Sequence, residues 1–126
     1  MEDKPFGCVN NAIKLKTYVA GPMRGIPLFN FPAFDAARDR LIAVGHVVIS
    51  PADIDRQHGF DGTSGGVPSP RECIKRDVVA IAEECDTIAL LPGWEKSKGS
   101  AVEVALGLFL GLKFIDAVTL EKIDIS

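Results

Sequence analysis

Glu103 is the only charge between Lys98 and Lys113, in a run of small and apolar residues from Gly99 to Leu112. A carboxylate is seldom buried without a partner, so an acid in such a run needs a reason. It follows Gly99-Ser100 by about one helical turn, where the backbone N–H groups and the helix dipole favour an ionised acid. Either Glu103 caps its own helix or pairs with Lys98, or it is a nucleophile or general base in the floor of a pocket. Asp77 is a second candidate. Its neighbours at i−3 and i+4, Ile74 and Ile81, are apolar, which puts Asp77 at the edge of a buried face; the alternative is a surface pair with Lys75 or Arg76. Arg24, in the turn-rich run Met23 to Asn30, is a cation able to meet an anion. Trp94, Phe29 and Phe31 are loop aromatics that either stack on a base or simply pack.

The elements that must hold these residues alternate in type. Ala12 to Ala20 reads as a strand stopped at Gly21-Pro22, and His46 to Ser50 as a strand stopped by Pro51. Between them Phe34, Ala37, Leu41 and Val44 make one stripe of a helix from Pro32 to Val44. Ala52 to Pro70 is rich in Gly, Asp and Pro and is expected to be unstructured, either a lid or a disordered excursion. Ser69 caps a helix from Pro70 to Glu84, and Asp86 to Leu91 is an apolar central strand. Pro92 to Lys98 leads into the Glu103 helix, whose apolar surround predicts burial on every side. Phe114 to Ala117 is a last strand. Residues 1–11 have no period and read as a flexible tail, so 12–126 form a single domain. The alternation predicts an α/β fold, a three-layer Rossmann-like (flavodoxin-like) sandwich around a parallel sheet of four to five strands. Ligands of such sheets gather beyond the carboxyl ends of the strands, where Arg24 and Glu103 would face one crevice.

Composition excludes several classes. A chain of 126 residues makes one domain and buries roughly two-thirds of its unfolded surface. The net charge of −3 argues against polymeric DNA or RNA, which needs a concentrated basic stripe. A mononucleotide is compatible, because one or two cations and backbone N–H groups hold a single phosphate. Cys8, Cys73 and Cys85 are odd in number with no CxxC pair, and only His46 and His58 accompany them. They read as reduced thiols of a cytoplasmic protein, with no metal and no cofactor expected. Met1 to Lys16 lacks the apolar run of a signal peptide, and Val104 to Leu112 is too short to span a membrane.

Tyr18-Val19-Ala20-Gly21-Pro22-Met23-Arg24-Gly25, then Asp77, then Ser97-Lys98-Gly99-Ser100-Ala101-Val102-Glu103 resemble the nucleoside 2-deoxyribosyltransferase superfamily. That superfamily includes the 2′-deoxynucleoside 5′-monophosphate N-glycosidases and small, mostly phage-associated relatives. The resemblance spans Lys16 to Ala117 and is strongest to the phage-type group, through Asn30-Phe31-Pro32-Ala33-Phe34 and Leu90-Leu91-Pro92-Gly93-Trp94-Glu95-Lys96-Ser97. It implies a double displacement in which Glu103 attacks the anomeric carbon, Tyr18 orients Glu103, and Asp77 assists the leaving base or contacts the sugar. Ser97, six residues before the glutamate, matches the phosphate-binding serine of the monophosphate hydrolases, where the transferases tend to carry an acid. With Arg24-Gly25 as the phosphate-side loop, and Gly21, Gly99 and Ser100 in the same site, the resemblance favours a nucleoside 5′-monophosphate hydrolase. The alternatives are base exchange on free deoxynucleosides and a non-catalytic module that binds or sequesters a nucleotide. The turn before Glu103 departs from the hydrolases' GxGxE-like pattern, and Trp94 has no fixed counterpart in them. Small relatives form dimers or larger assemblies, so a homodimer or higher homo-oligomer is implied.

Overall fold

The computed structural model of the protein describes residues 15–63 and 65–125; the expected tail and the first residues of the expected opening strand lie outside them. Five strands, β1 (Lys16–Ala20), β2 (Val47–Ile49), β3 (Thr87–Leu90), β4 (Lys113–Asp116) and β5 (Lys122–Ile123), form one sheet in the order β2-β1-β3-β4-β5. The first four run parallel and β5 pairs antiparallel with β4. Four helices accompany them: α1 (Phe31–Ala43), α2 (Pro51–Gln57), α3 (Pro70–Glu84) and α4 (Lys98–Leu110). The expected three-layer α/β sandwich is therefore present, with an added antiparallel edge.

The period of two along β1 and β3 sorts their side chains between two cores. Val19, Ala89 and Leu91 pack with Phe34, Ala37 and Leu41 of α1 on one face. Tyr18, Ala20, Ile88 and Leu90 pack with Ile81 of α3 and Val104 of α4 on the other. Covered on both sides, β3 is buried throughout, as an apolar central strand requires. Gly107 lets α4 lie close on the sheet, since a Cβ there would meet Ile88 Cδ1 at 2.7 Å and Phe114 Cζ at 2.9 Å.

Three expectations need correction. The segment after Pro51 is not unstructured from its start: α2 occupies Pro51–Gln57, with Ser50 Oγ accepting a hydrogen bond from Ala52 N. Pro51 stops β2, as expected, and in the same place starts a helix, because its fixed φ suits a first turn. An ion-pair network locks α2 to α1, with Arg38 to Asp53 at 2.6 Å and Arg56 to Asp35 at 2.7 Å. Second, α4 is not covered on every side. Ser100, Glu103, Val104 and Gly107 face inward, while Val102, Leu108 and Phe109 are exposed. Third, β5 was not anticipated; two residues leave no periodic trace in a sequence. Among the described residues no helix is long and apolar enough to cross a membrane.

Candidate active site

Strand β1 continues to β2 on one side of the sheet, whereas β3 and β4 lie on the other, so the chain reverses direction between β1 and β3. In open α/β sheets such a reversal leaves a crevice beyond the carboxyl ends of the two strands. A cavity of about 450 Å³ occupies it, a volume suited to a small organic molecule. Gly21 to Arg24 after β1, Phe29, Pro51 at the start of α2, Pro70, Cys73, Ile74 and Asp77 of α3, and Lys96 to Ser100 with Glu103 line it. Sequence positions from 21 to 103 thus converge on one space.

The floor is acidic. Glu103 lies on the inward stripe of α4 and is 5% exposed; Asp77 lies on that of α3 and is 8% exposed. Tyr18, pointing from β1 into the same layer, is fully buried behind them and donates its phenol hydrogen to Glu103 Oε2 at 2.7 Å. Burial, and next the charge of Asp77, raise the pKa of Glu103, while the Tyr18 hydrogen bond opposes the rise. Burial, and next the charge of Asp55, push Asp77 up to about 6. Two carboxyls this close and this dry hold a shared proton across a wide pH range, because both cannot ionise cheaply. Tyr18 itself is raised, by burial first and by Glu103 and Asp77, so it stays a protonated donor. Donation by Tyr18 to Oε2 favours the charge on Glu103, whereas the contact between the two acids raises Glu103 and lowers Asp77, so one proton is held between the two carboxyls. Such a pair is able to present one ionised and one protonated carboxyl at the same time.

Beside the acids the α4 N-terminus presents hydrogen-bond donors. Ser97 caps the helix, its Oγ accepting from Ser100 N at 3.2 Å, which leaves the Ser97 hydroxyl hydrogen available to a ligand. Ser100 Oγ is buried in the cavity wall without a hydrogen-bond partner among the described residues. Lys96 and Lys98 border the same end. Unpaired N–H groups, two hydroxyls and two cations make a seat for an anion.

The opposite wall is the loop after β1. Leu28, Phe29 and Asn30 all have φ near +57°, a left-handed run that non-glycine residues rarely adopt and that marks a constrained segment. Asn30 Nδ2 pins it by donating to Pro22 O at 2.8 Å. Phe29 packs edge-on against Phe31 and Phe60 and carries the Arg24 guanidinium 5.3 Å above its ring. Arg24 Nη2 also donates to Pro68 O at 2.6 Å, tying this loop to the segment before α3.

Of the residues singled out in the sequence, Tyr18, Asp77, Glu103, Gly21, Arg24, Phe29, Ser97, Gly99 and Ser100 come together here. Gly25 and Trp94 do not line the cavity. Gly25 has a positive φ of 83° and serves the turn, and Trp94 packs against the α3/α4 core. Phe31 is buried in the other core rather than clamping a ligand. Asp55 was missed: α2 buries it to 4% exposure, Oδ2 has no partner among the described residues, and burial raises its pKa. An Asp-rich stretch read as a loop gave no hint of it, and only recognising Ser50-Pro51 as a helix start would have turned Asp55 inward. Cys73 also lines the wall; burial first, then Asp55 and Asp77, raise its pKa and keep the thiol protonated. Among the described residues no group of three or more His, Cys, Asp or Glu is arranged to hold a metal ion.

Fold and site together define a flavodoxin-like α/β protein with a paired-carboxyl pocket at its topological switch point. Its sequence from residue 15 to residue 116 matches the family model described as a domain of unknown function, DUF4406. The match spans most of the chain, and the protein belongs to that family. No curated protein matches it significantly.

Proposed function

We propose that the protein cleaves the N-glycosidic bond of a 2′-deoxynucleoside 5′-monophosphate through a covalent glycosyl-Glu103 intermediate. The observation that carries this reading is the buried Tyr18–Glu103 hydrogen bond, with Asp77 beside it and the anion seat of α4 next to both. Glu103 Oε attacks the anomeric carbon as the bond to the base nitrogen breaks, and the Asp77 proton passes to the departing base. Water then attacks the same carbon, Asp77 takes its proton, and the bond to Glu103 breaks, returning both carboxyls to their starting state. Ser97, Ser100 and the α4 N–H groups bind the phosphate, while Phe29 and Met23 contact the apolar part of the substrate. Arg24, held by Pro68 O, acts by shaping this wall as much as by its charge.

Base exchange between free deoxynucleosides would use the same first step, with a second base in place of water. The absence of a carboxylate at Ser97 favours the phosphorylated substrate, since an acid there would repel it. On the same reading the protein is a cytoplasmic homo-oligomer acting in nucleotide metabolism, and free Cys73 and Cys85 thiols fit a reducing compartment. The test is incubation with a panel of deoxynucleosides and their 5′-monophosphates, with and without an acceptor base, followed by chromatography. Free base and deoxyribose 5-phosphate are expected from at least one monophosphate, and none with Glu103→Gln. No base release from any substrate would sink the reading. Thermal stabilisation by a nucleotide without turnover would replace it with a binding module.

A further inference from the structure

We infer that the base this pocket takes is a uracil-type pyrimidine carrying a methyl group at C5, with Cys73 and Ile74 meeting the methyl edge and Arg24 donating to the 4-carbonyl. The inference deepens the N-glycosidase reading above and rests on it for the pose. With the anomeric carbon at Glu103 and the phosphate at the α4 N-terminus, the lining left for the base is Met23, Arg24 and Phe29 on one side and Pro70, Cys73 and Ile74 on the other. Cys73 and Ile74 stand one helical turn before Asp77 on the same side of α3. A base that takes the Asp77 proton at its 2-carbonyl, beside the glycosidic nitrogen, therefore extends over these two side chains with its C4–C5 edge leading. That edge places a carbonyl next to the methyl, and the wall places Arg24 Nη2 next to Cys73 Sγ, at 3.6 Å.

The polarity of this wall selects the base. Those six residues carry no side-chain oxygen. The oxygens of Asp77 accept from Tyr18 and Glu103. Nearby main-chain carbonyls are engaged as well: Pro22 O accepts from Asn30, Met23 O from Ile26 N, Pro68 O from Arg24, and Ser69 O from Cys73 N. Arg24 is a donor only; the bonds to Pro68 O and Cys73 Sγ use Nη2, and the guanidinium carries further N–H groups. A carbonyl at C4 meets a donor there. Cytosine and adenine present an amino group at that edge, which would meet Arg24 donor against donor, and guanine adds an amino group of its own. Leaving such N–H groups unpaired disfavours those bases by about 5- to 150-fold. The methyl group of thymine, buried against Cys73 and Ile74, adds about four-fold over uracil, the ~0.8 kcal/mol of one buried methyl.

Two measurements on the same nucleotides test this: kcat/KM for base release by the parent protein, and the Kd of Glu103→Gln by calorimetry. Thymidine 5′-monophosphate should lead deoxyuridine 5′-monophosphate by about four-fold, and the cytosine, adenine and guanine nucleotides by more, in both series. Ile74→Ala should bring the thymine-to-uracil ratio toward one. Arg24→Met, which keeps an apolar stem and removes the donor, should instead shrink the thymine-to-cytosine ratio. Circular dichroism establishes that each variant is folded, and a merely structural role would move both ratios alike. The calorimetric order without any base release would support this base preference while removing the glycosidase reading. Base release with thymine and uracil nucleotides equal in rate and affinity, or with a cytosine or purine nucleotide preferred, would overturn the base preference and leave the glycosidase reading standing.

Discussion

Replacing Asp77 by Asn probes the carboxyl pair without reference to any substrate. Burial first, and Asp55 second, move the Asp77 pKa from 3.8 up to about 6. The folded protein therefore holds this proton more tightly than the unfolded chain does. The associated stability is complete below the unfolded value and is lost as the pH climbs through the folded one. A rise of about two units, at about 1.4 kcal/mol per unit, makes the full loss on the order of 3 kcal/mol. Asn is nearly the same size, is neutral throughout, and keeps a side-chain oxygen that accepts where the acid accepts from Tyr18 and Glu103. It also removes the charge that raises Glu103. Asp77→Asn should thus match the parent near the unfolded pKa and exceed its stability by roughly 2–3 kcal/mol at neutral pH. Urea unfolding at a series of pH values between those limits reads the difference. A difference that stays constant with pH, or a variant less stable at neutral pH, would refute the coupled-pair argument.

Other perturbations separate chemistry from packing. Tyr18→Phe removes a buried donor to a charged acceptor, worth about 1.5–3 kcal/mol, so kcat/KM for base release should fall by about 10- to 150-fold. The acid limb of its pH profile should also move upward, because the interaction that lowers the Glu103 pKa is gone; an unmoved limb would remove Tyr18 from the mechanism. Asp55→Asn should shift the Asp77 titration downward, since Asp55 is the main charge raising it, and carboxyl NMR titration would register the change. Ser97→Ala should destabilise the fold by about 1 kcal/mol through loss of the α4 cap, and raise KM for a monophosphate more than for the matching nucleoside. Gly107→Ala should cost about 1–3 kcal/mol in thermal or urea unfolding, as the added methyl meets Ile88 and Phe114.

Much of this architecture is legible without coordinates, and the exceptions have physical causes. Ser69-Pro70 announces α3 because a capping hydroxyl and a φ-locked first residue act locally. The same signal stands at Ser50-Pro51, but the glycines and aspartates downstream favour a loop, and so neither α2 nor the buried Asp55 is legible there. The left-handed run at Leu28, Phe29 and Asn30 has no glycine to betray it; tertiary contacts such as Asn30 to Pro22 hold it there. Burial of α4 on one face only is likewise invisible to composition, since a helix apolar all round does not declare which side meets the sheet. Glu103 was conspicuous because a lone charge in an apolar run is a local anomaly. Its geometry with Tyr18 and Asp77 needed the fold.

The 85-residue separation between Tyr18 and Glu103 makes their hydrogen bond one of the most non-local contacts in the chain. Closing it requires β1 and β3 to pair in parallel and α4 to dock, and such long-range steps are slow because loop entropy is lost before contacts form. The pocket is therefore expected to assemble late in folding. Recovery of the Tyr18–Glu103 contact during refolding should coincide with recovery of the whole structure, and a fragment ending before α4 has the tyrosine and the aspartate with nothing for them to act upon.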